Sequence, residues 1–100
     1  MDYLRLVPLG YGQVTDLSAA VGLPTVGSPA AIPAGATVAI ITAETQDVRY
    51  RDDGTAPTAS VGQPLAKGAA LVYTGTLSAI KFIQQTASAK LNVSYYQVAG

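Results

Sequence analysis

The sequence predicts an all-β fold: one domain, 1–100, built as a sandwich or small barrel of seven or eight short antiparallel strands. Three observations predict it. Apolar and polar residues alternate with a period of two through most of the chain. Gly- and Pro-bearing turns interrupt that alternation at short intervals. No segment carries the 3.6-residue apolar period of an amphipathic helix. A chain of 100 residues can bury a core of its own as a single domain.

In order, Tyr3 to Leu9 sets Leu4, Leu6 and Pro8 against Tyr3, Arg5, Val7 and Leu9, a first strand whose proline marks an edge or an end. Gly10-Tyr11-Gly12 reads as a turn, and Gln13 to Leu17 as a short continuation. The stretch 18–36 holds Pro24, Pro29 and Pro33 among glycines and alanines, which precludes a helix or a long central strand. It reads as an extended Pro/Gly/Ala-rich excursion with one short strand near Ala20 to Leu23. Such a length without regular structure is unusual in a compact domain. Two readings stand: the part from Leu23 to Pro33 lies across a neighbouring subunit, or it is an ordinary loop packed on its own domain.

Thr37 to Glu44 is a strand apolar on both faces in its middle. Gln46 to Arg51 alternates Val48 and Tyr50 with Asp47, Arg49 and Arg51. Asp52-Asp53-Gly54 is a turn signal, with glycine free to take positive φ. Ala56 to Val61 is expected as a short strand broken by Gly62 and Pro64. Ala69 to Thr74, Leu77 to Gln84 and Lys90 to Val98 are the remaining strands; the last places Leu91, Val93 and Tyr95 on one face and Asn92, Ser94 and Tyr96 on the other.

Charged residues are 12% of the chain, against about 25% in an average domain. Apolar residues are 49%. A surface this poor in charge is expected to be covered by other subunits, the alternative being solvation by Ser, Thr and Gln. Net charge is zero, so no global field attracts nucleic acid or an anionic membrane, and neither is expected as a partner. There is no cysteine and no histidine. That removes disulfides, thiolate nucleophiles, histidine bases and the usual zinc ligands. No phosphate or dinucleotide loop motif is present. No enzyme activity, catalytic residue, metal or cofactor is expected. The start of the chain lacks a basic segment followed by a long apolar run, and no stretch approaches bilayer-spanning length. The expectation is a protein made in the cytoplasm that stays soluble until it joins its partner.

The charges concentrate: Glu44, Asp47, Arg49, Arg51, Asp52 and Asp53 fall within Glu44–Asp53. Arg49 and Arg51 are two apart on a strand and share a face, where flanking carboxylates can grip their guanidinium forks. Pairing within the hairpin or across a subunit boundary is the favoured reading, ahead of a solvated face or an arginine-lined anion site. Asp52 and Asp53 are adjacent on a turn and point apart, which suits turn chemistry better than a catalytic pair or a calcium loop. Tyr50, Tyr73 and Tyr95 fall on core faces. Tyr3, Tyr11 and Tyr96 are candidates for exposure, and Tyr11 and Tyr96 suit an interface or the stacking of sugar rings.

The strings Val48-Arg49-Tyr50-Arg51-Asp52-Asp53-Gly54, Pro57-Thr58, Pro64-Leu65, Ile80-Lys81-Phe82-Ile83 and Leu91-Asn92-Val93-Ser94-Tyr95-Tyr96 resemble small β-structured virion proteins of tailed bacteriophages. The resemblance covers roughly Ala36 to Tyr96; the N-terminal third departs from it. It implies a jelly-roll-like sandwich located in the virion capsid. The implied role is a capsid cement or decoration protein that bridges major-capsid subunits and acts as a homo-oligomer, a trimer above all. A neck, tail or fibre-associated subunit is the alternative, and a carbohydrate-binding module the further one. Arg49, Arg51, Asp52, Asp53, Tyr11 and Tyr96 are the candidate interface or turn-fixing residues.

Overall fold

The structure is a computed structural model and describes residues 5–23 and 32–99. Among them are eight strands and no helix: β1 (Arg5–Val14), β2 (Val21–Gly22), β3 (Val38–Glu44), β4 (Val48–Arg51), β5 (Gln63–Leu65), β6 (Ala70–Tyr73), β7 (Lys81–Gln84) and β8 (Lys90–Ala99). They form two four-stranded sheets, in the orders β1-β8-β3-β6 and β2-β7-β4-β5, and every pairing is antiparallel.

The inner faces of both sheets feed one core. Leu91, Val93 and Tyr95 of β8 and Ala39, Ile41 and Ala43 of β3 meet Val48, Leu65 and Phe82 of the second sheet, and loop residues Leu17, Leu23, Leu77, Ile80 and Ala89 fill the ends. The register explains the choice of residues on β3. Ala39 stands opposite Tyr95, Ile41 opposite Val93 and Ala43 opposite Leu91. Small thus faces large at both ends of the row, so the two strands present an even surface to the second sheet. There Tyr50 and Phe82 are directly opposite and their rings pack tilted, with centroids 5.7 Å apart.

At the end of the molecule where β3 leaves for β4 and β7 returns as β8, two non-glycine residues take left-handed backbone, Thr45 and Ser88, each at φ 72. Such a conformation is strained for a β-branched residue. The Thr45 hydroxyl lies 2.6 Å from the Ser88 carbonyl and ties the two turns together.

Several expectations need correction. Gly10-Tyr11-Gly12 is not a turn: β1 runs through it, and a bulge between Pro8 and Gly10 absorbs the irregularity. Ala56 to Val61 is not a strand but a loop with one Thr58–Val61 bridge, and β5 begins after it. Pro64, expected to break the strand, lies within β5. It is tolerated because β5 is an edge strand with no neighbour on its outer side. Leu77 to Ile80 is a turn, and only Lys81 to Gln84 is strand; the turn tucks both Leu77 and Ile80, three residues apart, into the core. β3 is not fully buried on both faces, since Ile40 is only half-buried.

The short strand expected near Ala20 to Leu23 is β2. Most of the excursion from Leu23 to Pro33 lies outside the described residues, as does Tyr3. Its flanks are anchored at home, however: Leu23 is buried in the core and Ile32 packs against it.

The hydroxyl of Tyr95 is buried and has no hydrogen-bond partner among the described residues. Burial also pushes its ionisation up. An unpaired hydroxyl in a core costs free energy that a phenyl ring of the same shape avoids. Tyr95→Phe is expected to raise stability by about 1 kcal/mol, read as a higher urea midpoint with an unchanged slope.

Candidate interaction surfaces

Two places concentrate what the sequence singled out: the β4–β5 connection, and the outer face of the first sheet.

The β4–β5 connection carries Arg49, Arg51, Asp52 and Asp53. Val48 and Tyr50 turn inward, so the strand period places both arginines on the opposite face. Their partners differ from the paired carboxylates expected for both. Arg51 grips Asp53 with a two-pronged contact, Nε to Oδ1 at 3.0 Å and Nη2 to Oδ2 at 2.5 Å. Arg49 meets no carboxylate within ion-pair distance among the described residues. It reaches across the connection and donates to two backbone carbonyls, Nε to Ala59 at 3.2 Å and Nη1 to Gly62 at 2.8 Å. A guanidinium that satisfies carbonyls of a strand-free segment replaces the ladder that segment lacks. Asp52 and Asp53 do point apart. Asp52 Oδ2 accepts from the Tyr73 hydroxyl at 2.8 Å, which links the connection to β6 in the other sheet. Asp47, before β4, accepts from the Lys67 backbone N–H at 2.7 Å.

An open depression of about 490 Å³ lies beside this corner, lined by Arg51, Asp52, Asp53, Val61, Gly62 and Gln63. Its charged groups are partnered, Arg51 with Asp53 and Asp52 with Tyr73. An arginine-lined anion site therefore has no unengaged guanidinium to offer there.

Two glycines make the corner possible. Gly62 has φ +144, and a Cβ on it would lie 3.1 Å from the Tyr50 carbonyl oxygen and 3.2 Å from both Arg49 Cβ and Pro57 Cβ. Gly75 lets the Tyr73 ring through, since a Cβ there would sit 2.6 Å from Tyr73 Cζ.

On the outer face of the first sheet, directly opposed residues share a side. The register therefore builds continuous rows across β1, β8, β3 and β6: Leu6 beside Val98; Pro8, Tyr96 and Val38; Tyr11, Ser94, Ile40 and Val72; Gln13, Asn92, Thr42 and Ala70. Leu6, Tyr11, Val72 and Val98 are exposed, Tyr11 to 56% and Val72 to 60%. Among the exposed large hydrophobics of the described residues, only Val61 lies elsewhere. Tyr96, expected to be exposed, is half-buried between Pro8 and Val38.

The polar row is bonded to itself. Asn92 Oδ1 accepts from the Tyr11 hydroxyl and, at 2.9 Å, from Gln13 Nε2, while Asn92 Nδ2 donates to Glu44 Oε1 at 2.6 Å. Asn92, Gln13 and Glu44 were not singled out by sequence reasoning. Nothing in the sequence associates them with one another, and only the strand register brings them side by side. Tyr11 was singled out, and its hydroxyl bonds to Asn92 from the adjacent row.

Comparison with known proteins finds no matching family model, no matching curated protein and no matching solved structure.

Two outcomes test this geometry. Gly62→Ala is expected to cost about 1–3 kcal/mol, measured by chemical denaturation, because the left-handed backbone and three close neighbours act together. The second concerns Tyr73. Burial, then the hydrogen bond and charge of Asp52, push its phenol from an ordinary 10.0 up to about 12. The folded chain thus holds a proton that the unfolded chain releases. The stabilisation is complete below pH 10 and is lost as pH rises through 12. The melting temperature of the wild type is expected to fall towards that of Tyr73→Phe across this window, and a constant gap between the two would contradict the assignment.

Proposed function

We propose that this protein is a structural subunit of a tailed-phage virion, acting as a capsid cement that bridges major-capsid subunits as a homo-oligomer, and that its fold is a jelly roll. The strand pairing supports the fold. Each strand pairs with its counterpart counted from the other end of the chain: β1 with β8, β2 with β7, β3 with β6, β4 with β5. A long hairpin whose tip is the β4–β5 connection, rolled so that β8 meets β3 and β7 meets β4, produces this order. Eight strands wound as nested Greek keys define a jelly roll, an architecture used by capsid proteins, lectins and cupins alike. The fold alone therefore does not choose the role.

The outer face of the first sheet carries the functional reading. An antiparallel sheet with one face on the core normally presents polar, charged residues on the other. Here that face gathers the exposed apolar side chains, and its polar row is already hydrogen-bonded within itself. Burying such a face against a partner strands few polar groups, so little of the gain from apolar contact is lost. The low charge of the whole chain fits the same use. The resemblance to small phage virion proteins supplies the partner, and the mechanism is added interface multiplied by shell symmetry. The charged β4–β5 corner supports this surface by holding its own loop.

Val72→Lys tests the proposal, because Val72 points to solvent in the isolated chain and the substitution leaves the core intact. The variant is expected to melt as the wild type does. In co-sedimentation with purified capsids of the parent virus it should bind at least about tenfold more weakly, as expected for a charge placed in a desolvated contact. In intact virions, the copy number of the wild type should scale with the shell lattice. Equal binding by the two proteins, both folded, would remove this face from the interface. A copy number of a single ring would move the protein from the shell to the neck or tail.

A further inference from the structure

Asp53 is followed by Gly54 at the exposed tip of the β4–β5 connection. Chemically an Asp–Gly link is prone to rearrangement. Glycine carries no side chain to hinder its nitrogen, and its backbone rotates freely. Here Gly54 sits at φ +90 with nothing within 4 Å of the position a Cβ would occupy. The backbone nitrogen of such a glycine can attack Cγ of the preceding aspartic acid. The N–Cγ bond forms, the nitrogen gives up its proton, the Cγ–OH bond breaks and one water leaves. The product is a five-membered succinimide. Water then opens it at either carbonyl. Opening at Cγ restores aspartate; opening at the main-chain carbonyl leaves an isoaspartyl link, with one more methylene in the backbone. The step needs the neutral acid, because an ionised carboxylate is a poor electrophile with no leaving group.

The structure presents that carboxylate fully engaged. Arg51 Nε and Nη2 hold its two oxygens, and the Thr55 backbone N–H donates to Oδ1 at 3.4 Å. We propose that Arg51 is a chemical guard of the Asp53–Gly54 link: its two-pronged grip keeps the carboxylate ionised and turned to the guanidinium, and so suppresses succinimide formation at the hairpin tip. Hydrogen bonding by Arg51 is the leading reason the Asp53 carboxyl lies below its ordinary range, and charge-assisted pairs of this geometry hold both partners in orientation as well as charge. The pair is partly solvated, with 28% and 55% of the two side chains exposed, so its stabilising value is small. The guard does not need a large value. The rate of the covalent step follows the small fraction of time the carboxyl is neutral and released from Arg51, so even a weak pair lowers it severalfold. The role is independent of whether the outer face of the first sheet binds a capsid.

The test is ageing of the purified full chain at mildly acidic pH and physiological temperature, with isoaspartate at position 53 quantified by peptide mapping and electron-transfer fragmentation. Arg51→Ala is expected to accumulate it about two- to fivefold faster than the wild type, the range that an exposed ion pair supports. Arg51→Lys keeps the charge but loses the fork and should fall between them. Melting curves establish that each variant is folded. Wild-type protein in molar salt, where an exposed pair is screened, should also age faster than in dilute buffer, which tests the idea without any substitution. Equal rates in wild type and folded Arg51→Ala, or a wild-type rate indifferent to salt, would overturn the proposal.

Discussion

The fit of β8 against β3 is the constraint on which the rest of the molecule depends. Ala39 and Ala43 leave room for Tyr95 and Leu91, and Ile41 matches Val93 in between. Only in this register does the first sheet offer an even inner surface to Phe82 and Val48 of the second. Side chains alternate strictly across a strand, so choosing the inner set also chooses the outer one. Once Leu91, Val93 and Tyr95 face the core, Asn92, Ser94 and Tyr96 must face away. The same holds for Ile40, Thr42 and Glu44 on β3. The apolar outer rows and the bonded row of Gln13, Asn92 and Glu44 are thus consequences of core packing.

β8 has a second role. It is the central strand that joins β1 to β3, and it comes last in the chain. The first sheet is therefore complete only when the two ends of the sequence meet. The pairing of β1 with β8 and β2 with β7 makes most contacts long-range, and such topologies fold slowly and leave edges open in the meantime. β1 is a ten-residue edge strand. Pro8, the bulge beside it, and the glycines at positions 10 and 12 all make it a poor template for a further strand. What reads in sequence as a turn thus acts within the strand to disfavour edge-to-edge growth, while the face of the same sheet stays apolar. The molecule leaves one sheet face apolar and guards one edge of that sheet.

Much of this was legible in the sequence because the period-two signal is local. The inward sets Val48 and Tyr50, Ile80 and Phe82, and Leu91, Val93 and Tyr95 are where alternation puts them. The errors have physical causes. Leu77 to Ile80 runs straight into the alternating Ile80 to Ile83, so it reads as part of that strand, but it is a turn that anchors Leu77 and Ile80 in the core. Ala56 to Val61 has strand composition, yet its backbone is held by the Arg49 side chain in place of a neighbouring strand. The partners of Arg49 are carbonyls of Ala59 and Gly62, and a carbonyl has no sequence signature. The two carboxylates nearest in sequence were better candidates on paper. The Asn92 row was invisible for the same kind of reason: Gln13, Asn92 and Glu44 are far apart in the chain, and only register unites them.

The charged stretch and the apolar face divide the labour of the surface. Each charge at the β4–β5 corner is spent locally: Arg49 on loop carbonyls, Arg51 on Asp53, Asp52 on Tyr73, and Asp47 on the Lys67 backbone. Long excursions such as this one lack a ladder and need side chains to satisfy their backbone. The outer face of the first sheet needs none, because β1, β8, β3 and β6 bond to one another. Charge is therefore required where the hairpin tip has no neighbour and can be dispensed with where the sheet is continuous. A chain of low total charge is best served if the few charges it keeps hold its irregular segments. The concentration of charge between Asp47 and Asp53 follows from that allocation.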